Sequence, residues 1–395
     1  MRFRRGVASA FWFAVILTVL IGAGAAAAFT YKPAAPKVTD LQIGGKIGVS
    51  IGIKVYGPDG ALKSSFYDPD DLILDNFRTF LAEWFSDDTT MPVTASLKND
   101  LNQAKTVNVK VDRSSWANNI GDSNTGSGKK GGVIGIGTGT TAPQRTNYKL
   151  ETPTEADTYI TAGYPTWSAV TGNVTISASV AITGAHDITE AVLGVNWVAA
   201  DASENTFNMF RDTFPAISVV NLDVVVITYQ IQLTGDEFTS NFGNFLAQMF
   251  ATIDDGGAQT GASCTPVTGT PYTMKFYYNV DTLGAFTSTY TVSPRLPTSI
   301  ATGTSNAAPA RTQYGLTGQV EIYTVPNPHP STAAATTVVV QTDIVCSVQR
   351  NLQEGGLFVE CHTALNARFL FIRDTFSLEP IPSGNSIWIT FTLTC

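Results

Sequence analysis

Apolar and polar positions follow two periods along this chain. Over 75–85 and again over 240–250 the apolar residues recur at three- and four-residue spacing: Phe77, Phe80, Leu81, Trp84 and Phe85, then Phe242, Phe245, Leu246, Met249 and Phe250. That spacing puts each set on one face of a helix. Asp71 and Asp236 stand ahead of the two helices, where a carboxylate accepts the free amide hydrogens of a first turn, and are expected N-caps. Calcium binding by these acids would need an oxygen-ligand spacing that the loops lack. Almost everywhere else the period is two. Val225, Ile227, Tyr229, Ile231 and Leu233 face one way, with Thr228, Gln230 and Gln232 on the other side; Ile387, Ile389, Phe391, Leu393 and Cys395 repeat the pattern. These predict strands with one buried face. Asn173–Ile182 and Ile188–Val198 read as a hairpin around Thr183–Asp187, and Thr337–Gln349 and Gly356–Leu365 as its counterpart around Asn351–Gly355.

The two periods belong to a longer repeat. DNFRTFLAEWF at 75–85 recurs as SNFGNFLAQMF at 240–250, GTGTTAPQRTNYKL at 137–150 as TGTSNAAPARTQYGL at 302–316, and the segment 211–233 aligns without a gap against 373–395. Three blocks in one order at nearly constant offset imply a duplicated module. The expected fold is mainly β: two tandem antiparallel β-sandwich modules, 47–233 and 234–395, each with one amphipathic helix, behind an N-terminal hydrophobic helix. Module one opens on Ile47–Tyr56 and Ala61–Tyr67, a prelude that module two lacks. Val224–Leu233 is therefore expected to serve both modules, or to leave the second with an unpaired row of amides, open to strand sharing between the modules or with a neighbouring subunit, or else the modules are two closed sandwiches on a short connection.

Residues 1–29 are an address or an anchor, and 30–46, with Pro33 and Pro36, a linker. No charge occurs from Val7 to Phe29, a run long enough to span a bilayer as a helix, and Arg2, Arg4 and Arg5 would hold its start in the cytoplasm. Three readings fit. One is a secretory signal cut near Ala28 and Phe29 among small residues. Another is an uncleaved anchor that makes the membrane a partner through residues 7–29. In the third, RRG followed directly by VASAFWFAVILTVLIGAGAAAAF resembles the class III signal of archaeal pilins and archaellins, which implies cleavage between Gly6 and Val7 and an apolar helix that forms a filament core.

Composition narrows the function classes. Only 14% of residues are charged, the formal charge is −8, and no basic cluster follows the first five residues, so nucleic acid is not an expected partner. A chain rich in Thr, Ser, Gly, Ala and Val at 44% hydrophobic residues fits a β-rich, extracytoplasmic protein. All four cysteines, Cys264, Cys346, Cys361 and Cys395, fall in module two. An even number in an exported chain points to disulfides. Cys346 and Cys361 flank the predicted turn, which suggests a cross-strand bridge between them and leaves Cys264 for Cys395. Val180 and Leu233 hold the aligned places of Cys346 and Cys395 in module one, so structural staples are the expectation, with buried free thiols second. No C-x-x-C or paired-histidine spacing supports a zinc site.

Nothing reads as a catalytic centre or a cofactor site. His186, His329 and His362 sit at turns or strand ends without an acid or nucleophile in sequence reach, and no nucleophile elbow or Walker loop occurs. GVIGIGTGT at 132–140 has glycines for turns but no following helix to bind phosphate. Asp70 with Asp71, and Asp254 with Asp255, read as solvated loop or cap acids. The duplicated Arg-Asp-Thr-Phe, Arg211–Phe214 and Arg373–Phe376, reads as a structural ion pair or turn. Asn173 with Thr175 is a glycosylation acceptor, and the polar, glycine-rich 118–130 reads as a surface loop.

GTGTTAPQRTNYKLETP at 137–153, with the Arg-Asp-x-Phe segment and the closing Val-x-Tyr strand, resembles small β modules of tailed-virus virion proteins and related surface proteins. The resemblance implies a virion or appendage structural protein. The export signal shifts the expectation to the cell surface: a non-enzymatic structural protein of a surface or filamentous appendage, self-associating or bound to other surface proteins. An adhesin or carbohydrate-binding pair is the competing class, for which Trp116, Trp167, Trp197 and Tyr277 are candidate exposed aromatics.

Overall fold

The computed structural model describes residues 39–85, 93–110, 131–198, 203–235, 237–251, 262–265, 272–274, 286–287, 298–324, 337–361 and 367–395. The expected N-terminal helix and both cleavage positions, at Gly6 and Val7 and at Ala28 and Phe29, lie outside them. Among the described residues no helix is long and apolar enough to cross a membrane.

The first half of the chain contains β1 (Thr39–Tyr56), β2 (Leu62–Asp68), β3 (Leu72–Ile73), helix α1 (Asp75–Phe85), β4 (Val93–Lys98), β5 (Ala104–Lys110), β6 (Gly131–Gly137), β7 (Thr158–Tyr159), β8 (Thr166–Ser168), β9 (Asn173–Ala181), β10 (His186–Val198), β11 (Glu204–Val219) and β12 (Val224–Thr234). The second contains helix α2 (Ser240–Met249), β13 (Ala262–Cys264), β14 (Tyr272–Met274), β15 (Phe286–Thr287), β16 (Thr298–Gly303), β17 (Gln319–Thr324), β18 (Thr337–Val345), β19 (Arg350–Cys361), β20 (Ala367–Ile381) and β21 (Ser386–Thr394). The architecture is mainly β, in several sheets.

Both helices form where the period predicts, and their apolar faces are buried. Their starts differ from expectation. Helix α1 begins at Asp75, whose carboxylate takes Arg145 Nε at 3.1 Å; Asp71 is buried upstream and accepts the Leu72 amide at 2.7 Å instead of capping. Thr239 caps α2 by position, yet its hydroxyl donates to the Leu370 carbonyl at 2.6 Å. Asp236 is outside the described residues.

The duplication is visible as sheet topology. In the first half β11, β10, β6 and β7 are successive neighbours; in the second, β20, β19, β16 and β17 take the same order. The closing strands repeat as well, β12 on β9 and β21 on β18. Neither expected hairpin forms. β9 lies in the seven-stranded sheet and β10 in the five-stranded one, and β18 and β19 are divided in the same way. Asn351–Gly355 is not a turn but the interior of β19. Alternation identifies a strand with a buried face; it is silent on which sheet supplies its partners.

The two repeats are not two separate bodies. A single compact unit runs from Asp40 to Cys395, and one apolar cluster takes in Ile51 and Phe80 of the first half with Phe245, Phe371 and Ile389 of the second. The strand common to both halves is β1, not Val224–Leu233. β1 pairs with β12 from Lys46 to Tyr56 and also neighbours β21, with Gly44 beside the Thr392 carbonyl. The result is one sheet in the order β18-β21-β1-β12-β9-β8, with β2 on β1. The prelude that module two lacks is thus supplied by module one within the same chain. The boundary expected at 233/234 lies at the end of β12 and does not divide the core.

Candidate functional site

The three repeated sequence blocks meet at one buried constellation, built twice. Arg211 on β11 projects inward, 2% exposed, and Glu190 on the neighbouring β10 is fully buried. Arg211 Nη2 and Nε donate to Glu190 Oε2 at 2.9 and 3.2 Å. The loop at 137–152 folds over the pair: the amides of Gly139 and Thr152 donate to Glu190 Oε1 at 2.9 and 2.8 Å, and that of Glu151 to Oε2 at 3.0 Å. The remaining guanidinium face donates to Asn147 Oδ1 at 2.9 Å and to the Thr141 carbonyl at 3.2 Å.

The second half repeats this with Arg373 and Glu354. Arg373 Nη2 and Nε reach Glu354 Oε2 at 2.8 and 2.9 Å, with Gln313 Oε1 and the Ala307 carbonyl at 2.8 and 3.0 Å in the places of Asn147 and Thr141. The helices join the same construction, since the Asp75 amide donates to the Arg145 carbonyl at 2.9 Å and the Ser240 amide to the Arg311 carbonyl at 2.7 Å. Arg311 also donates to the carbonyls of Leu233 and Gly235, both at 3.1 Å, on the segment that joins the halves.

The glycines of 132–140 have a steric role here. A Cβ on Gly137 or Gly139 would meet Glu190 Oε1 at 2.5 Å, and one on Gly303 would collide with Glu354. They let a carboxylate approach strand and loop backbone closely. Every donor of the loop that reaches Glu190 is spent on it. A cleft of about 190 Å³ opens beside Arg211 between Thr141, Asn147, Tyr148, Lys149, Leu150 and Glu151, smaller than the ~300 Å³ at which pockets for small organic ligands begin.

A second polar group is unlike the first. Leu72 pairs with Arg211 and Ile73 with Phe210, so the antiparallel register sets Asp71 opposite Asp212. The Asp71 amide donates to the Val49 carbonyl at 2.8 Å, and Val49 pairs with Ile231, two residues from Tyr229. Asp71 is 8%, Asp212 7% and Tyr229 0% exposed. One oxygen of each carboxylate is satisfied, by the Leu72 and Thr213 amides, each at 2.7 Å. Asp71 Oδ2, Asp212 Oδ2 and the Tyr229 hydroxyl have no hydrogen-bond partner. Burial, then the charge of Asp212, holds the Asp71 carboxyl well above its usual range. Burial raises Asp212 to about 6, and burial followed by the charges of Asp71 and Asp212 raises the Tyr229 hydroxyl.

The other expected residues are scattered. Cys346 precedes β19, its amide donating to the Asn385 carbonyl in the turn after Ile381, the partner of Arg350, whereas Cys361 ends β19 opposite Ala367. The twelve residues of β19 extend roughly 35–40 Å at ~3.3 Å each, against the ~7 Å reach of a disulfide, and the Cys346 thiol is free. Among the described residues Cys264, Cys346 and Cys395 carry free thiols. Asn173 is half-buried at the start of β9, paired with Gln232. His186 lies 3.6 Å from Glu155; His329, His362, Asp254, Asp255 and all of 118–130 are outside the described residues. Trp197 is fully buried and Trp167 packs its ring against Gly243, so neither presents an exposed binding face. Trp116 and Tyr277 lie outside the description. No protein-family model, curated protein or solved structure matches the chain.

Proposed function

We propose that this chain is a non-enzymatic structural protein of a cell surface or filamentous appendage, exported or anchored by residues 1–29, in which two copies of a β-sandwich module are welded into one body through β1. The observation that carries the reading is what the duplication has kept. The repeated polar constellation, Arg211 with Glu190 and Arg373 with Glu354, is buried and internally satisfied on most of its polar atoms. Both copies spend their charges on fastening a loop to a strand, as a scaffold under mechanical or environmental load requires. An aromatic-stripe adhesin draws no support from Trp197, which is fully buried, or from Trp167, half-buried against the core.

Cell fractionation with mass spectrometry of the mature N-terminus, joined to negative-stain imaging, tests the proposal. Recovery from the envelope or the medium with a start at Val7 and visible fibres is the expected result for a filament subunit. A start at Phe29 in a soluble monomer rejects the filament, and recovery of unprocessed chain from the cytoplasm rejects the whole reading.

A further inference from the structure

The Asp71, Asp212 and Tyr229 cluster is a buried polar group that the fold leaves unsatisfied. Asp71, just before β3, and Asp212 on β11 are the next residues along the register that pairs Leu72 with Arg211; each carboxylate has one oxygen on a backbone amide and the other without a partner, and a fully buried tyrosine hydroxyl in their electrostatic reach also has none. A buried acceptor left unmatched loses its hydration with no bond in return, a penalty that grows when it is charged. Arg211, the cation whose charge acts on Asp212 and Tyr229, is committed to Glu190, Asn147 and Thr141. Asp68, half-buried at the end of β2, adds a third negative charge beside the pair.

We propose that Asp71, Asp212 and the Tyr229 hydroxyl bind a hard, oxygen-seeking divalent cation, with calcium as the probe, entering past Asp68. A proton on one carboxyl satisfies only part of the group, whereas a cation engages all three orphaned oxygens and offsets both charges. Among the described residues no three acidic, histidine or cysteine side chains are gathered closely enough to make a metal centre by themselves, so the hydroxyl and water complete the shell. The site belongs to the first half alone. Asp374 takes the place of Asp212 and accepts the Thr375 amide in the same way, but Phe391 stands where the first half has Tyr229.

The test uses the full chain, freed of metal by a chelator and held near neutral pH. Saturating calcium is expected to raise Tm by at least about 2 °C, with one ion bound per chain by calorimetry. Asp212→Asn should abolish both effects. Tyr229→Phe, which installs the residue the second half already carries, should fold and weaken calcium binding at least about threefold, on the order of 0.65 kcal/mol. Absence of bound calcium in the unaltered chain, or calcium binding unchanged in Asp212→Asn, overturns the proposal.

Discussion

Trp84 on α1 and Phe371 on β20 stack with their rings 3° from parallel and centroids 5.5 Å apart. One belongs to the first repeat and the other to the second, and Phe245 of α2 closes on the same indole at 4.1 Å. The two repeated helices therefore bury their aromatic faces in one common core. A duplicated sequence need not mean separable domains when its most apolar face finds its partner in the other copy.

Trp84→Ala should therefore weaken both halves together, by roughly 3–5 kcal/mol, the usual cost of deleting a large buried aromatic. Chemical unfolding followed by fluorescence and by circular dichroism should give one coincident transition for the unaltered chain. Two resolved transitions would show that the halves unfold independently.

Each ion pair is fully buried, so breaking one partner strands a charge without water. Glu190→Gln or Glu354→Gln should each cost about 3–5 kcal/mol. The double change Glu190→Gln with Arg211→Met should cost less than the two single changes added, because no charge is then left unpaired. Denaturant titration of the three variants measures the difference, and strict additivity would contradict the coupling.

The sequence pattern reached the helices, the strands and the repeat, because burial imposes a period on each. The pattern also identified Arg211 and Arg373 as structural. It did not reach Glu190 and Glu354, although a signal was present: a glutamate at the fifth residue of each strand, in HDITEAVLGVNWV and RNLQEGGLFVEC, at matching places in both copies. Strand pairing was illegible because β9 and β10 turn apolar faces to a common interior from different sheets. A carboxylate before a helix has the capping role when exposed, and only the continuation of the β3–β11 register toward Asp212 distinguishes Asp71 from such a cap.

Cys264 is a buried thiol and Cys395 a half-buried one, and burial pushes Cys264 up strongly and Cys395 up to about 12. The thiolate is the reactive form. Both should resist alkylation in the native protein near neutral pH and label fully after denaturation, as a peptide map would report. A Cys264–Cys395 bridge in a non-reducing map would contradict this arrangement.

Asp212 gives the fold a pH dependence of defined sign. Its carboxyl is raised to about 6 by burial first, against about 3.9 in an unfolded chain, so between those values the folded state holds more protons than the unfolded one. Stability contributed by the protonated carboxyl is fully present below about 4 and is lost as pH rises through about 6. Asp71, raised in the same direction and also by burial first, extends the effect. In metal-free protein the global acid response also includes groups shifted the other way, Asp223 among them, whose carboxyl is lowered by its hydrogen bond from Lys63. The informative quantity is accordingly the difference between the unaltered chain and Asp212→Asn. Thermal melts across pH 4–7 should show the variant gaining on the unaltered chain as pH rises, because the amide never has to ionise in a buried setting. A difference that is flat across that range, or that falls as pH rises, would show that Asp212 is not held protonated in the fold.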